Sequence, residues 1–179
     1  MYREDKTTQA AAIILERLGG KLTRLKLIKL LYLADREMLI TRGRPISYDR
    51  WYSLDNGPIL SETYDRIKEA SSGYNSYWAQ HIRSAGQEVM LAVNPDNGTL
   101  SKAEKAVIDC IVAKYGQMTP SALRNYTHRL AEYKDPNRSR IEIKPEEILK
   151  ASGLAPDEIA KVVDNIELQG SSALLASYQ

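Results

Sequence analysis

The chain predicts a mainly α fold, a compact helical domain with a small antiparallel β-hairpin. Three observations carry that expectation. Apolar residues recur at helical spacing between most of the Gly and Pro breaks, Ser101-x-x-Glu104 and Thr119-Pro120 are helix-start signals, and two short alternating runs flank Ser84-Ala85-Gly86-Gln87.

Taken in order, Thr7 or Thr8 can cap a first helix with Ala11, Ile14, Leu15 and Leu18 on its apolar face, stopped by Gly19-Gly20. A second helix is expected from Thr23 to Thr41. Leu27, Leu30, Leu31, Ala34 and Met38 form one face, and Leu25, Ile28, Tyr32, Leu33 and Leu39 widen the stripe almost all round, which marks the central helix of a domain. Gly43 and Pro45 end it, and Ile46 to Leu54 reads as extended. Asn56-Gly57-Pro58 is a turn whose Gly can take a positive φ and whose Pro presets the first turn of a helix from Ile59 to Ala70, closed by Ser71-Ser72-Gly73. Trp78 to Arg83 and Glu88 to Val93 form the hairpin strands, with Val89, Leu91 and Val93 facing inward. Two strands are marginal alone, so they must lie on the helices, with the Trp51 segment as a candidate third strand.

The second half is helical again. After the Ser101 capping box, Ala106, Val107, Cys110, Ile111 and Ala113 continue an apolar stripe to Tyr115-Gly116. Further helices are expected over Ser121 to Tyr133, from Lys144-Pro145 to Gly153, and as an amphipathic stretch from Pro156 to Leu175. Lys134 to Arg140 is a charged loop. No internal repeat or low-complexity linker interrupts the chain, so we expect one helical domain over residues 1–153. Residues 154–179 follow as a C-terminal segment packed on that domain or on a partner.

Composition narrows the function. At 179 residues the chain can bury a core without metal or disulfide staples. Its 43% hydrophobic and 27% charged residues are those of a globular protein. Without a basic-apolar-small leader or an apolar run of membrane-spanning length, the expected setting is the cytosol, with no membrane partner. The single Cys110 can form no internal disulfide and supplies no metal-ligand pair. A net charge of +2 demands no polyanionic partner. Lys21, Arg24, Lys26, Lys29, Arg42, Arg44 and Arg50 make the start of the chain locally basic, read as a solvated face in preference to a surface for an acidic protein or nucleic acid. Eleven Tyr, two Trp and no Phe suit half-buried positions and wet interfaces.

Reactive chemistry is sparse. His81 and His128 have no ligand-type neighbour at metal spacing, and Cys110 sits in a helical apolar stripe, where free Cys is usually a small buried hydrophobe. Neighbouring carboxylates such as Asp35 and Glu37 diverge on their helix. Phosphate-loop, nucleophile-elbow and dinucleotide motifs are absent. We therefore expect no enzyme activity, no cofactor and no metal. A helix-turn-helix with its reading helix at Ser121 to Tyr133 and the hairpin as a wing would offer Arg124, Asn125, His128 and Arg129, but it has no strongly basic flank.

The run KLIKLLYLADR from Lys26 to Arg36 is followed by GRPIS at Gly43 to Ser47, by Trp51-Tyr52, by Asn56-Gly57-Pro58 and by Tyr64-Asp65. Together these resemble the Panacea domain of bacterial and phage toxin-antitoxin systems, whose SocA-like members act as antitoxins. Thr127-His128, Tyr133-Lys134 and Ile148-Leu149 resemble the family's second half, with Tyr133 where a Trp is expected. The resemblance implies a mostly helical antitoxin that neutralises a cognate toxin protein by direct binding. Two alternatives remain, an adaptor that delivers the toxin to a protease and a DNA-binding regulator, although nucleic acid is a disfavoured partner.

The candidate partner-binding residues are Trp51, Tyr52, Asn56, Gly57, Pro58, Tyr77, Trp78 and His128. Trp51 and Tyr52 alternate across a strand, so one packs while the other can face a partner. Asn56-Gly57-Pro58 is read first as a structural turn, and His128 first as a satisfied core imidazole and second as part of a contact surface.

Overall fold

In the computed structural model, which describes residues 2–69, 75–95 and 98–176, helices dominate and the strands form two small antiparallel sheets. Helix α1 spans Glu4–Arg17 and α2 spans Arg24–Arg42. Thr7 and Thr8 do not cap α1. They lie inside it, buried, and their hydroxyls donate to the Arg3 and Glu4 carbonyls, while Glu4 and Asp5 supply negative charge to its first turn. Thr23 caps α2 by accepting from the Lys26 amide at 3.2 Å, and Gly43 closes it in the left-handed region at φ 66°.

Helix α2 is the core of the molecule, as its all-round apolarity predicts. Every residue from Leu27 to Asp35 is buried, and α1, α5, α6 and α7 all pack on it. Here α5 is Lys102–Tyr115, α6 is Pro120–Thr127 and α7 is Pro145–Ala151. The Ser101–Glu104 capping box is present on α5. The buried face of that helix is Glu104, Ile108, Ile111 and Tyr115, a spacing of four, three and four, which turns Ala106, Cys110 and Ala113 to solvent. Cys110 is thus exposed, contrary to the expected stripe. Helix α6 stops at Thr127, six residues before its expected end at Tyr133, and irregular turns follow.

The Trp51 segment does not join the Val89 hairpin. Strand β2, Trp51–Leu54, pairs with β3, Gly57–Leu60, on one side and β6, Ile141–Ile143, on the other. Strand β1, Lys21–Thr23, instead extends the hairpin of β4, Ile82–Ala85, and β5, Glu88–Leu91. Trp78 lies in the short helix α4, Tyr77–His81, and not in a strand. Pro58 likewise starts no helix. It sits in β3, an edge strand that can accept a residue without an amide hydrogen. Helix α3 begins at Ser61 and reaches Glu69. Its expected closure at Ser71-Ser72-Gly73 lies outside the described residues. The final helix α8, Pro156–Ala176, lays Ile159, Val162, Val163 and Ile166 against the core and packs on α7.

A hairpin locked onto a buried lysine

Two polar hubs tie the loops to α2. Asp35, fully buried, accepts from the Ile46 and Ser47 amides at 2.8 and 2.7 Å, from the Ser47 hydroxyl at 2.7 Å and from the Trp51 indole at 3.2 Å. Burial pushes its carboxyl up to about 7 while the Ser47 and Ile46 donors pull it down. This hub explains the joint occurrence of the LADR, GRPIS and Trp51 segments as one hydrogen-bonded unit. Glu132, equally buried, accepts from the Tyr32 hydroxyl at 3.0 Å and from Arg36 at 2.6 and 3.2 Å, pinning the turn after α6 to α2.

Beside these lies the Asn56-Gly57-Pro58 turn. Lys29 is fully buried and donates to the Pro58 carbonyl at 2.6 Å, and burial lowers its ammonium to about 7. It is not on a solvated face. Gly57 takes φ 91°, and a Cβ there would stand 2.9 Å from the His128 ring, 2.9 Å from the Thr127 hydroxyl and 3.0 Å from the Lys29 ammonium. The turn therefore needs Gly for two reasons, a left-handed backbone and no room for a side chain. His128 stacks on Tyr133 with ring centroids 4.4 Å apart and 14° between planes. Its Nε2 is buried without a hydrogen-bond partner among the described residues, so it is not the satisfied core imidazole first expected. Burial, then the Lys29 and Arg124 charges, lower its pKa.

The candidate residues thus divide. Asn56, Gly57, Pro58 and His128 come together at the hairpin tip, with Lys29, Thr127 and Tyr133 around them. Tyr52 is half-buried on the outer face of β2, opposite Ile59 and Glu142, with Arg140 over its ring at 5.2 Å. Trp51 and Trp78 are 4% and 0% exposed, so their rings fill the core and are unavailable for partner contact. Tyr77 packs its ring against that of His81 next to the other sheet, with centroids 4.6 Å apart and 57° between planes.

Sequence reasoning missed Lys29. Its signal was a lone cation inside the otherwise apolar run from Leu27 to Leu33. Next to it, a groove of about 500 Å³ opens between the N-terminal turn of α2, α3 and the outer side of the β2–β3 hairpin. Among the described residues no three His, Cys, Asp or Glu side chains gather to hold a metal, and no helix is long and apolar enough to cross a membrane.

Fold and site define a small helical module in which a buried cation clamps a glycine hairpin beside an open groove. Residues 27–134 match the family described as antitoxin SocA-like, Panacea domain, and the chain belongs to that family. The matched segment runs from α2 through α6 and contains the Asp35 hub, the hairpin tip and His128. No curated protein and no solved structure shows significant similarity to the chain.

Proposed function

We propose that this protein is a cytosolic antitoxin that neutralises one cognate toxin by direct binding and performs no bond chemistry. The observation that carries the reading is the family match over residues 27–134, which spans the core helix and the hairpin tip. The disposition of buried charge supports it. Asp35, Asp49, Glu104 and Glu132 are each committed to hydrogen bonds that hold loops or helix ends, a structural use of buried charge.

The packing also argues against a winged helix-turn-helix. The β4–β5 hairpin lies on α1, α2, α3 and α4, α6 packs on α2 and β3, and α6 ends before His128 and Arg129.

The test is co-expression with the product of the adjacent gene. We expect restored growth, co-purification as a stoichiometric complex, and loss of toxin activity in a mixture of the two purified proteins. A toxin that neither co-purifies nor loses toxicity overturns the antitoxin reading. A toxin that stays active in the purified mixture, and disappears from cells only when both this protein and a protease are present, replaces direct neutralisation with adaptor-mediated turnover.

A further inference from the structure

We infer that α8 is a strap that opens as a unit while the rest of the protein stays folded, and that its opening bares the face around Trp51. Among the described side chains of α8, Pro156 to Gln169, none is buried. Ile159, Val162, Val163 and Ile166 are half-covered and Leu168 is 64% exposed, whereas α7, one turn earlier in the chain, seats Ile148 and Leu149 fully in the core. An element that takes so little apolar area out of water is the one that leaves first.

Hinge and seat are both built for this. Helix α7 ends by bonds internal to itself and its closing turn. The Gly153 amide donates to the Lys150 carbonyl at 3.1 Å and the Leu154 amide to the Leu149 carbonyl at 3.3 Å, with Gly153 at φ 87°. The pivot therefore falls at Ala155 and Pro156, both exposed. Beyond it α8 carries its own start, the Glu158 carboxylate accepting from the Ala155 amide at 3.1 Å, and keeps it in either position. When docked, Val162 closes on Gly43 at the end of α2, where a Cβ would stand 3.3 Å from a Val162 methyl carbon. Further along, the Tyr48 hydroxyl donates to the Gln169 side-chain carbonyl. Between these two contacts the seat is poorly filled. A cleft of about 270 Å³ stays open between Ile166 and Pro45, Tyr48, Trp51 and Pro145, so the middle of the helix forgoes the packing that would hold it.

Lifting α8 opens this cleft to solvent and uncovers Trp51, which is 4% exposed while the strap is down. Because the opening exposes little surface, urea hardly promotes it, and it stays a minor state until the whole chain unfolds. A partner that uses this face meets it only in the open form. Helix α8 thus gates a surface of the family-matched segment while lying outside that segment itself.

Native-state hydrogen exchange of the full-length protein, read residue by residue by NMR at rising sub-denaturing urea, measures the opening directly. Amides from Ile159 to Gln169 are expected to exchange about thirtyfold or more faster than those of α2 and α5, with one common protection factor and a weak urea dependence. Val162→Asp should raise α8 exchange by a further factor of about five and leave that of α2 within about twofold. In a Trp78→Phe background the same substitution should about double acrylamide quenching of Trp51. Should Val162→Asp fail to fold, Tyr48→Phe removes only the hydroxyl tie and carries the same test, with about a twofold rise in α8 exchange. Protection in α8 equal to that of α2, or falling steadily toward the C-terminus as in simple fraying, overturns the strap. Faster α8 exchange with Trp51 quenching unchanged overturns the gated face. Each of these outcomes leaves the antitoxin reading untouched.

Discussion

At Gly57 a single hydrogen atom decides whether the hairpin tip can seat. With φ at 91° and three heavy atoms within 3.0 Å of where a Cβ would be, Gly57→Ala meets both backbone strain and overpacking. We expect it to cost about 2–4 kcal/mol of stability by urea unfolding. Lys29 makes a pH prediction. The unfolded lysine keeps its proton to near the ordinary value of 10.5, whereas the buried one releases it at about 7. Between these values the unfolded state binds more protons, so stability rises with pH and is lost as pH falls toward 7, at roughly 1 kcal/mol per pH unit. Of the other shifted groups close to this hub, Asp35 and His128 act lower, while Tyr32 and Tyr133, raised from 10.0 by burial, act near pH 10 and oppose the rise there. Asp35 is raised from 3.8 to about 7 and is half-titrated there, and His128 is lowered from 6.5, so both are finished by about pH 8. Urea titrations at pH 8, 8.5 and 9 should show the rise in the wild type and a flat response in Lys29→Met. A wild type with no rise in that window overturns the assignment.

Helix α2 holds its neighbouring loops through carboxylates, and the two that matter behave differently on mutation. Asp35→Ala leaves two backbone amides, a hydroxyl and an indole without their acceptor in a dry site. A loss of about 3–5 kcal/mol is expected, with the Trp51 emission shifting toward that of a solvated indole. Trp51→Phe removes one donor of the four and should cost less, a comparison that separates the hub from simple core packing. Glu132→Gln keeps the shape but weakens the acceptor for Arg36, and because the pair is buried its effect should change little as salt rises. These elements show why part of the resemblance is structural. Asp35, Ser47 and Trp51 hold one another, and none of them faces outward.

Across the whole molecule, strands of both sheets pack on one buried helix and share its core. Trp51 belongs to the β3-β2-β6 sheet and Trp78 leads into the β1-β5-β4 sheet, so each indole reports one half. Within each single-tryptophan variant, indole fluorescence and far-UV circular dichroism should give the same urea midpoint, because α2 cannot leave one half without uncovering the other. Separate midpoints would show that the halves melt independently.

The central helix, the capping box at Ser101, the helix starts at Pro120 and Pro145 and the family were legible in the residues themselves, because local spacing and capping chemistry settle them. Sheet membership was not, since β1 and β6 are three-residue strands whose pairing depends on which edge the folded chain presents. The role of Pro58 shows the same limit. Locally it suits a helix start, and only its place on an edge strand, with its carbonyl accepting from Lys29, makes it a strand residue. By itself the sequence determined a mainly helical antitoxin-family domain built around one greasy helix. The tertiary structure alone decided that Lys29 lies inside, that Trp51 and Trp78 face inward, and that Gly57, Thr127 and His128 meet. Those outcomes rest on contacts between segments distant in the chain, which no local pattern encodes.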